Sequence, residues 1–549
     1  MYLLFKSLTP QDHFTAYLYA MISGVLLGFA FPPFESGYLA FVALIPLLFS
    51  IEYLISSSSK RTYLLLYACY FLFQGIANWW VGSWQKESDP FLIASGVALQ
   101  IGHPFFLMIP ILAYIYIRKR LTLNIALITL PFLYISYEWL HSLTDASYPW
   151  LSLGYMLISV KSISQCADII GVFGLTFIIV ILNVLFFKFL LLLQQRKSKY
   201  SILSLGLFIL SLFLMLSIYG NMRIKEINEI IKQSDNITVG IVQPNINPWK
   251  KWSGGVSGQI SKHFTLMQSS QHQELDLWIW SETAVPFFDI SANINHNFSA
   301  FLNISNSVPI LTGFAELQLL PNNTSEPLAK PFALRPEYSY IAYNAAALIS
   351  RNHATKIHRK MKLTPFGEGV PFSQDIPWLG GLLEWGVGIS GWKKGAIQKP
   401  LNMVTNNGTS VSIGTIICIE SIYPEYVSHY GKEQATMLSV ITNDAWFDGS
   451  PGPMQHFSIS QMRAIENRKS IARCGNTGVS GIIYPDGSIA DIAAPEQEAV
   501  LIGNVPQMNI FTLYSDFGDV LPRIACFVSL GMLVISGYMF ATSHKKVAA

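Results

Sequence analysis

The stretch VSIGTIICIESIYPEY, residues 411–426, runs from β-branched residues into a cysteine and then into glutamates. Every second residue from 411 to 417 is β-branched, which predicts a buried strand that presents Cys418 at its carboxyl end. Taken alone, a free cysteine is most often a small buried hydrophobe. Two upstream segments favour another interpretation, because each places a charged residue after an apolar or aromatic run: WIWSETAVP, residues 278–286, and HRKMKLTPFGEGVPF, residues 358–372.

These three segments supply the groups that acyl transfer through a thiol requires. Such a reaction needs a base to take a proton, a cation or hydrogen-bond donor to hold the oxyanion, and a nucleophile. We therefore predict that Glu282 is the base, Lys360 the cation and Cys418 the nucleophile.

Composition limits the class of protein. The chain has 549 residues, of which 51% are hydrophobic and 13% charged, and its mean hydropathy of +0.38 is too apolar for one soluble domain of this length. The net charge of +3, spread without a long basic run, predicts no nucleic-acid partner. The five cysteines lack metal-ligand or paired spacing, so we expect no metal site, no disulfide framework and no cofactor.

Long apolar stretches predict about eight transmembrane helices. They lie at about 14–31, 38–55, 62–84, 91–117, 122–140, 167–193, 201–220 and 521–541. Basic residues fall on alternate loops and on the carboxyl-terminal tail, so both termini should face the cytoplasm and the segment before the last span should lie in the periplasm. Aromatic residues near span ends are predicted to sit at the membrane interface: Trp79, Trp80, Trp84, Tyr148 and Trp150.

The second half changes to short strands separated by turns and helical patterns. Strands are predicted at 237–246, 275–283, 308–317, 343–350, 410–420, 435–446 and 479–487, and helices at 256–273 and 453–471. The predicted fold is thus a multi-pass helical bundle combined with an α/β domain whose sheet is covered by helices. The expected organisation is a bundle at 1–222, a catalytic domain at 236–508 and a final helix at 521–542.

The motifs WSETA, KMKLTPFGE and CIE, in this order, resemble those of the apolipoprotein N-acyltransferases of bacterial inner membranes. In that family a nitrilase-type αββα sandwich is inserted before the last transmembrane helix, and the resemblance covers nearly the whole chain. It implies the same triad of Glu282, Lys360 and Cys418. Lys360 has the family spacing to PFGE, and Lys362 is the alternative.

The resemblance also implies supporting and substrate-binding residues. Glu368 and Glu420 match family carboxylates that support the triad. Positions that match the family's active-site entrance are Gln243, Asn245, Trp252, Asn443, Asp444, Trp446 and Phe447. The glycine- and tryptophan-rich loop at 377–392, which includes Trp378 and Trp385, is interpreted as a lid directed toward lipid, with core packing as the alternative. Ser281 and Ile419 depart from the family's proline and tyrosine, which puts contacts made by that tyrosine in doubt.

The resemblance implies that an acyl chain passes from a phospholipid to a thioester on Cys418. From there it passes to the α-amino group of the diacylglyceryl-cysteine of an apolipoprotein. Glu282 would take protons, while Lys360 would favour the thiolate and then the oxyanion. The expected enzyme is a monomer in the bacterial inner membrane. Two alternatives stay open: a membrane-tethered nitrilase-type amidase, and a transporter or scaffold with an inert nitrilase-like domain.

Overall fold

Apolar helices form the amino-terminal part of the chain and its carboxyl-terminal end. The computed structural model describes residues 8–57, 61–84, 90–250, 255–270, 274–289, 301–323, 326, 328–333, 335–350, 354–373, 375–376, 378, 391–405, 407–447 and 449–548. Its helices are α1 (His13–Ala30), α2 (Ile45–Ser56), α3 (Thr62–Ala77), α4 (Pro90–Leu107), α5 (Ile109–Arg118), α6 (Leu123–Ser142), α7 (Lys161–Ser164), α8 (Ala167–Gln194), α9 (Lys199–Gln233), α10 (Gly255–Gln268), α11 (Pro424–Lys432), α12 (Gly452–Asn467), α13 (Leu513–Phe517) and α14 (Val520–Ala548).

Seven helical segments among the described residues are long and apolar enough to cross a membrane, and α3 is a shorter apolar helix. Helices suit such segments because they satisfy every backbone N–H and C=O without water. The predicted multi-pass bundle is confirmed. The predicted third span is too long at its carboxyl end, because α3 ends at Ala77 and the 3-10 turn Trp79–Gly82 follows.

Helix α9 joins the bundle to the second half of the chain. It contains 35 residues, which at about 1.5 Å per residue extend roughly 52 Å and exceed the ~30 Å hydrocarbon core of a bilayer. Ser234 and Asp235 are the two residues between α9 and the first strand. This short connection restrains the second half against the bundle.

Fourteen described strands form two sheets. They are β1 (Asn236–Gln243), β2 (Leu277–Trp280), β3 (Val285–Asp289), β4 (Ile310–Pro321), β5 (Lys330–Pro331), β6 (Tyr338–Ile349), β7 (Lys356–Arg359), β8 (Leu401–Val404), β9 (Ser410–Ile417), β10 (Met437–Thr442), β11 (Ile471–Gly475), β12 (Ser480–Ile483), β13 (Ile489–Ala493) and β14 (Ala499–Pro506). The first sheet has the order β14-β1-β2-β4-β6-β5, with β3 beside β4 and β7 beside β6, and the second has the order β13-β12-β11-β10-β9-β8.

The sheets pack face to face through apolar side chains. Ile241 and Ile279 of the first sheet belong to the same buried cluster as Ile413 and Ile441 of the second. Helix α10 packs on the outer face of the first sheet, while α11 and α12 lie between the second sheet and the membrane bundle. The predicted αββα layering is confirmed.

Strand register brings the ends of several strands to one edge. Parallel pairing sets β10 beside both β9 and β11, with Ile441 opposite Ile417 and Cys474. Carboxyl ends of parallel strands meet at the same edge of a sheet. The residues that follow β9 and β10 are therefore neighbours, although about 25 residues separate them in the sequence.

All seven predicted strands are present, but the helix predicted at 453–471 is too long. Helix α12 ends at Asn467, and Arg468 takes a left-handed conformation with φ of 48°. Its guanidinium bonds Asp168 of the bundle at 2.9 Å. This turn ends the helix, anchors it to α8 and allows β11 to begin at Ile471.

Candidate active site

Cys418 follows the last residue of β9 and begins a 3-10 turn that ends at Ile422. Its φ is +50°, a region that non-glycine residues rarely occupy and that costs on the order of 1 kcal/mol or more. The Ser421 hydroxyl donates to the Cys418 carbonyl oxygen at 2.9 Å and helps to hold this conformation. The predicted nucleophile thus lies on a sharp turn at the strand end and lines a cavity.

Glu282 lies on the turn after β2, and Gly313 of β4 makes room for that turn. A Cβ at Gly313 would lie 2.6 Å from the Glu282 Cα, so only glycine allows this close approach. Glu282 is buried, with 6% of its surface exposed, and it also lines the cavity.

Lys360 connects the acidic residues of the site. Its ammonium lies 3.0 Å from Glu282 Oε1 and 2.9 Å from Glu368 Oε1. The Asn344 amide donates to both of these oxygens at 2.7 Å. Sequence reasoning missed Asn344; the available signal was one amide inside the otherwise apolar strand YNAAALIS. The four side chains form a closed buried network in which each carboxylate has a positive or polar partner.

The charges of this network fix the resting protonation states. Burial by itself lowers the pKa of Lys360, but the Glu282 and Glu368 carboxylates outweigh it, and the pKa lies well above its ordinary value. Burial raises the pKa of the Cys418 thiol far above its usual range, and Glu282 adds to the rise. Lys360 lowers the pKa of the thiol, as predicted, without outweighing these effects. The resting site therefore holds an ammonium and a neutral thiol.

The other lysine of the motif points elsewhere. The Lys362 ammonium lies 4.9 Å from the ring centroid of Tyr423, and burial together with nearby Lys394 lowers the pKa of Lys362. Lys360 is thus the lysine that contacts the buried glutamates.

The two predicted supporting glutamates have different hydrogen-bond partners. Glu368 accepts from Lys360 and also from the Thr364 N–H at 2.8 Å. Glu420 instead accepts from the backbone N–H groups of Met361 and Ile417, at 2.7 and 2.8 Å. Burial would raise the pKa of Glu420, but His358 and these N–H groups hold it below its usual value. Glu368 supports the charge of the site, whereas Glu420 fastens the lysine segment to the end of β9.

A cavity of about 360 Å³ joins the triad to the membrane bundle. One wall carries the triad, and the other carries bundle residues: Trp80, Val81, Leu92, Ser95, Leu99, Ala146, Tyr148 and Trp150. The prediction that Trp80 and Trp150 sit at the membrane interface is wrong, because only 2% and 6% of their surfaces are exposed. Trp79 and Trp84 are about half exposed, as interface residues would be.

The predicted entrance residues divide into two groups. Asn443, Asp444, Trp446 and Phe447 line the cavity, because they follow the strand beside β9. Gln243 and Asn245 do not line it; their side-chain amides donate to backbone carbonyls of Ala494, Gln497 and Glu496. Among the described residues these two amides therefore fasten a loop, and their contact with substrate remains a prediction.

The predicted lid falls mostly outside the described residues, as do Trp252 and Trp385. Trp378 is exposed, with 68% of its surface accessible, and it is not part of the cavity wall. Trp392, at the end of the loop, is buried and lines the cavity. Trp392 therefore belongs to the cavity wall, and the lid remains a prediction.

Cys418, Asp444 and His456 have the spacing of a metal site, since their ligand atoms lie within 4.8 Å of one another. The polar atoms of the last two are already engaged. His456 Nδ1 lies 2.8 Å from Asp444 Oδ1, and Arg473 donates to Asp444 Oδ2 at 2.7 Å. Burial would raise the pKa of Asp444, but His456 and Arg473 hold it far below its usual range. This geometry favours a hydrogen-bonded network over a bound cation.

Known proteins resemble the chain along most of its length. Residues 23–185 match the family model of the apolipoprotein N-acyltransferase N-terminal domain, and residues 238–510 match that of the carbon-nitrogen hydrolases. An apolipoprotein N-acyltransferase of Chlorobaculum tepidum is 32% identical over 94% of this chain and 95% of its own. One of Geobacter metallireducens is 30% identical over 92% of both chains. A solved Saccharomyces cerevisiae member of the nitrilase superfamily covers 52% of this chain and 96% of its own, at 14% identity and a TM-score of 0.35.

Proposed function

This chain belongs to the apolipoprotein N-acyltransferase family, and we propose that it moves a fatty acyl chain from a membrane phospholipid to the α-amino group of a diacylglyceryl-cysteine. That cysteine begins an apolipoprotein. The observation that carries the proposal is the cavity, which has the Glu282, Lys360 and Cys418 side chains on one side and membrane helices on the other. The apolar bundle residues of this cavity suit the acyl chain of a lipid ester whose carbonyl lies at the thiol.

In the first half-reaction the Cys418 sulfur attacks the ester carbonyl carbon. Because the resting thiol is neutral, Glu282 takes its proton as the carbon–sulfur bond forms. The oxyanion faces the Lys360 ammonium and the backbone N–H groups that follow Cys418. The carbon–oxygen bond then breaks, Glu282 returns the proton to the departing oxygen, and a lysophospholipid leaves an acyl thioester behind.

In the second half-reaction the lipoprotein amine attacks the thioester carbonyl. Glu282 takes one amine proton, the carbon–sulfur bond breaks, and the sulfur recovers that proton. The product is an amide, and the site returns to its starting state. One thiol holds one acyl group, so the lysophospholipid leaves before the amine reacts, which makes the order of substrates ping-pong.

Membrane orientation follows from the basic loops. We place both termini in the cytoplasm and the catalytic domain in the periplasm of a bacterial inner membrane, where it acts as a monomer. The ionisable residues inside the bundle support an enzyme over a transporter. Glu52 pairs with Arg118 at 2.9 Å, and Glu138 accepts from the Leu153 N–H and the Thr176 hydroxyl. Each has a local structural partner.

Detection of the acyl-enzyme intermediate by mass spectrometry tests this function. Purified full-length protein given phospholipid without acceptor should gain the mass of one acyl chain at Cys418, and neutral hydroxylamine should release it. Adding a diacylglyceryl lipopeptide should discharge the chain onto the peptide's amino terminus as an amide. Cys418→Ala should gain no mass. Cys474→Ala is the matched control, because Cys474 is buried between the sheets and donates to the Val242 carbonyl.

Two outcomes would contradict the proposal. Free fatty acid released at the same rate with and without acceptor would make the protein a hydrolase. If the wild-type protein gained no acyl mass from any phospholipid, a phospholipid would be excluded as the acyl donor.

A further inference from the structure

Gln455, in the first turn of α12, has a fully satisfied side-chain amide. Its oxygen accepts from the indole N–H groups of Trp80 and Trp150, at 3.0 and 2.8 Å. Its nitrogen donates to the backbone carbonyls of Pro32 and Ala77, at 2.8 and 2.7 Å. An amide has two donor hydrogens and two acceptor lone pairs, so every one is used. All four partners belong to the membrane bundle, and Gln455 is 1% exposed.

The two tryptophans that Gln455 holds are part of the cavity wall. Their ring centroids lie 5.2 Å apart, and the Trp80 ring meets Phe447 edge-on at 4.9 Å. The start of α12 packs closely against the same ring. A Cβ added at Gly452 would lie 2.6 Å from a ring atom of Trp80, so the helix approaches the ring this closely only because residue 452 is glycine. The position of both indoles therefore depends on α12.

The next residue along α12 reaches the nucleophile. His456 Nε2 lies 2.7 Å from the Ser421 hydroxyl and 3.2 Å from the Cys418 carbonyl oxygen. One helical turn thus contacts the bundle wall through Gln455 and the nucleophile's turn through His456.

We propose that Gln455 is a positioning residue that fixes Trp80 and Trp150 as the surface on which the acyl chain of the donor lies. Selection among acyl donors by chain length is then determined where the bundle meets the catalytic domain. This inference rests on the proposed function. The first carbons of an acyl group on Cys418 stay beside the polar triad, while a long chain extends to the apolar tryptophans.

Replacing Gln455 by methionine keeps the length of the side chain and removes all four hydrogen bonds. A buried indole N–H without an acceptor is unfavourable. Trp80 keeps its bond to the Ala77 carbonyl at 3.3 Å, whereas Trp150 loses the Gln455 oxygen that holds it, so the two rings will shift relative to each other. For a phospholipid with hexadecanoyl chains, we expect Gln455→Met to lower kcat/KM about tenfold, mainly through KM. For a dibutyryl phospholipid with the same head group, the loss should stay below about twofold.

Gln461→Met is the matched control. Gln461 lies on the same helix and donates to the Gly487 carbonyl at 2.8 Å, away from the bundle wall. It should leave the ratio of activities on long and short donors unchanged. Equal losses on both donors in Gln455→Met, or the same change of ratio in Gln461→Met, would overturn the inference.

A double-mutant cycle covers the case in which Gln455→Met does not accumulate as folded protein. Trp80→Phe and Trp150→Phe each remove one indole N–H and keep an aromatic ring. Each should lower activity on the long donor more than on the short one, and their effects should be non-additive because they share one acceptor. Additive losses, or equal losses on both donors, would refute the inference. Acyl-enzyme formation by wild-type protein in the same assay tests the proposed function separately.

Discussion

Glu368 and Glu420 should respond differently to replacement by glutamine. We expect the charge of Glu368 to contribute to the reaction rate and the charge of Glu420 to contribute to the stability of the fold. Glu368 contacts the Lys360 ammonium at 2.8 Å, and it also accepts from Asn344 and the Thr364 N–H. Glu420 accepts from backbone N–H groups and from the Tyr426 hydroxyl at 2.8 Å. Both side chains are buried, so burial alone does not distinguish them.

The size of the Glu368→Gln effect follows from these contacts. A glutamine oxygen still accepts from Lys360, but its amide hydrogens face donor groups of Asn344 or Thr364. The change removes one charge and at least one hydrogen bond to a charged group, which is worth about 1.5–3 kcal/mol. If about 2 kcal/mol of this is lost from the transition state, the rate falls roughly 30-fold. Glu282 remains as a partner of Lys360, so the protein should stay folded.

Glu420→Gln should behave in the opposite way. It weakens the bonds that fasten the lysine segment to β9, so the midpoint of thermal unfolding should fall, while the acylation rate of the folded protein should change less than about threefold. Single-turnover acylation by phospholipid, followed by intact mass, measures the rate, and unfolding in detergent measures stability. A larger rate loss in Glu420→Gln than in Glu368→Gln would refute the assignment of the two roles.

Three further predictions concern the lysines, the thiol and the orientation. Lys360→Ala should abolish acyl transfer, because it removes the cation between two buried glutamates, whereas Lys362→Ala should lower the transfer rate only slightly. If transfer assays found Lys362→Ala to be the inactive variant, Lys362 and not Lys360 would be the lysine of the triad. Because the pKa of Cys418 is raised, its thiolate fraction should keep increasing with pH above the ordinary pKa of a thiol. The rate of alkylation by iodoacetamide, after subtraction of the rate measured for Cys418→Ala, should therefore rise about tenfold per pH unit from pH 7 to 10. A plateau near pH 8.5 would contradict the argument that burial raises this pKa. A reporter active only in the periplasm should work when inserted near residue 300 and fail when fused after Ala549, and the reverse pattern would place the site on the wrong side for the proposed acceptor.

Much of the architecture was predictable because local patterns encode it. Alternating β-branched residues before Cys418 predicted β9, and long apolar stretches predicted the bundle. Helix and strand ends were less accurate. The helix that contains Gln455 stops at Asn467, because Arg468 turns to bond Asp168, about 300 residues away in the sequence. No local pattern records that partner.

The candidate site was predictable to the extent that residue type reveals chemistry. A carboxylate, an ammonium and a thiol in motif positions predicted Glu282, Lys360 and Cys418 as a triad, and all three line one cavity. Residue type could not show that Glu420 turns toward backbone N–H groups while Glu368 turns toward Lys360, because both are glutamates near the triad. Asn344 escaped notice, since one amide in an apolar strand has the same appearance whether it bonds a turn or a buried carboxylate of the candidate site.

The sequence by itself determined the classes of element, the membrane-spanning character of the first half and the chemical types of the three side chains that we propose to react. Those properties depend on side-chain chemistry and on spacing within short segments. The tertiary structure alone decided that Trp80 and Trp150 line the cavity and that Gln455 holds them. Such contacts arise when the bundle docks on α12, and they join positions more than 300 residues apart. A tryptophan at the end of an apolar helix has the same local pattern whether lipid head groups or another part of the protein cover it.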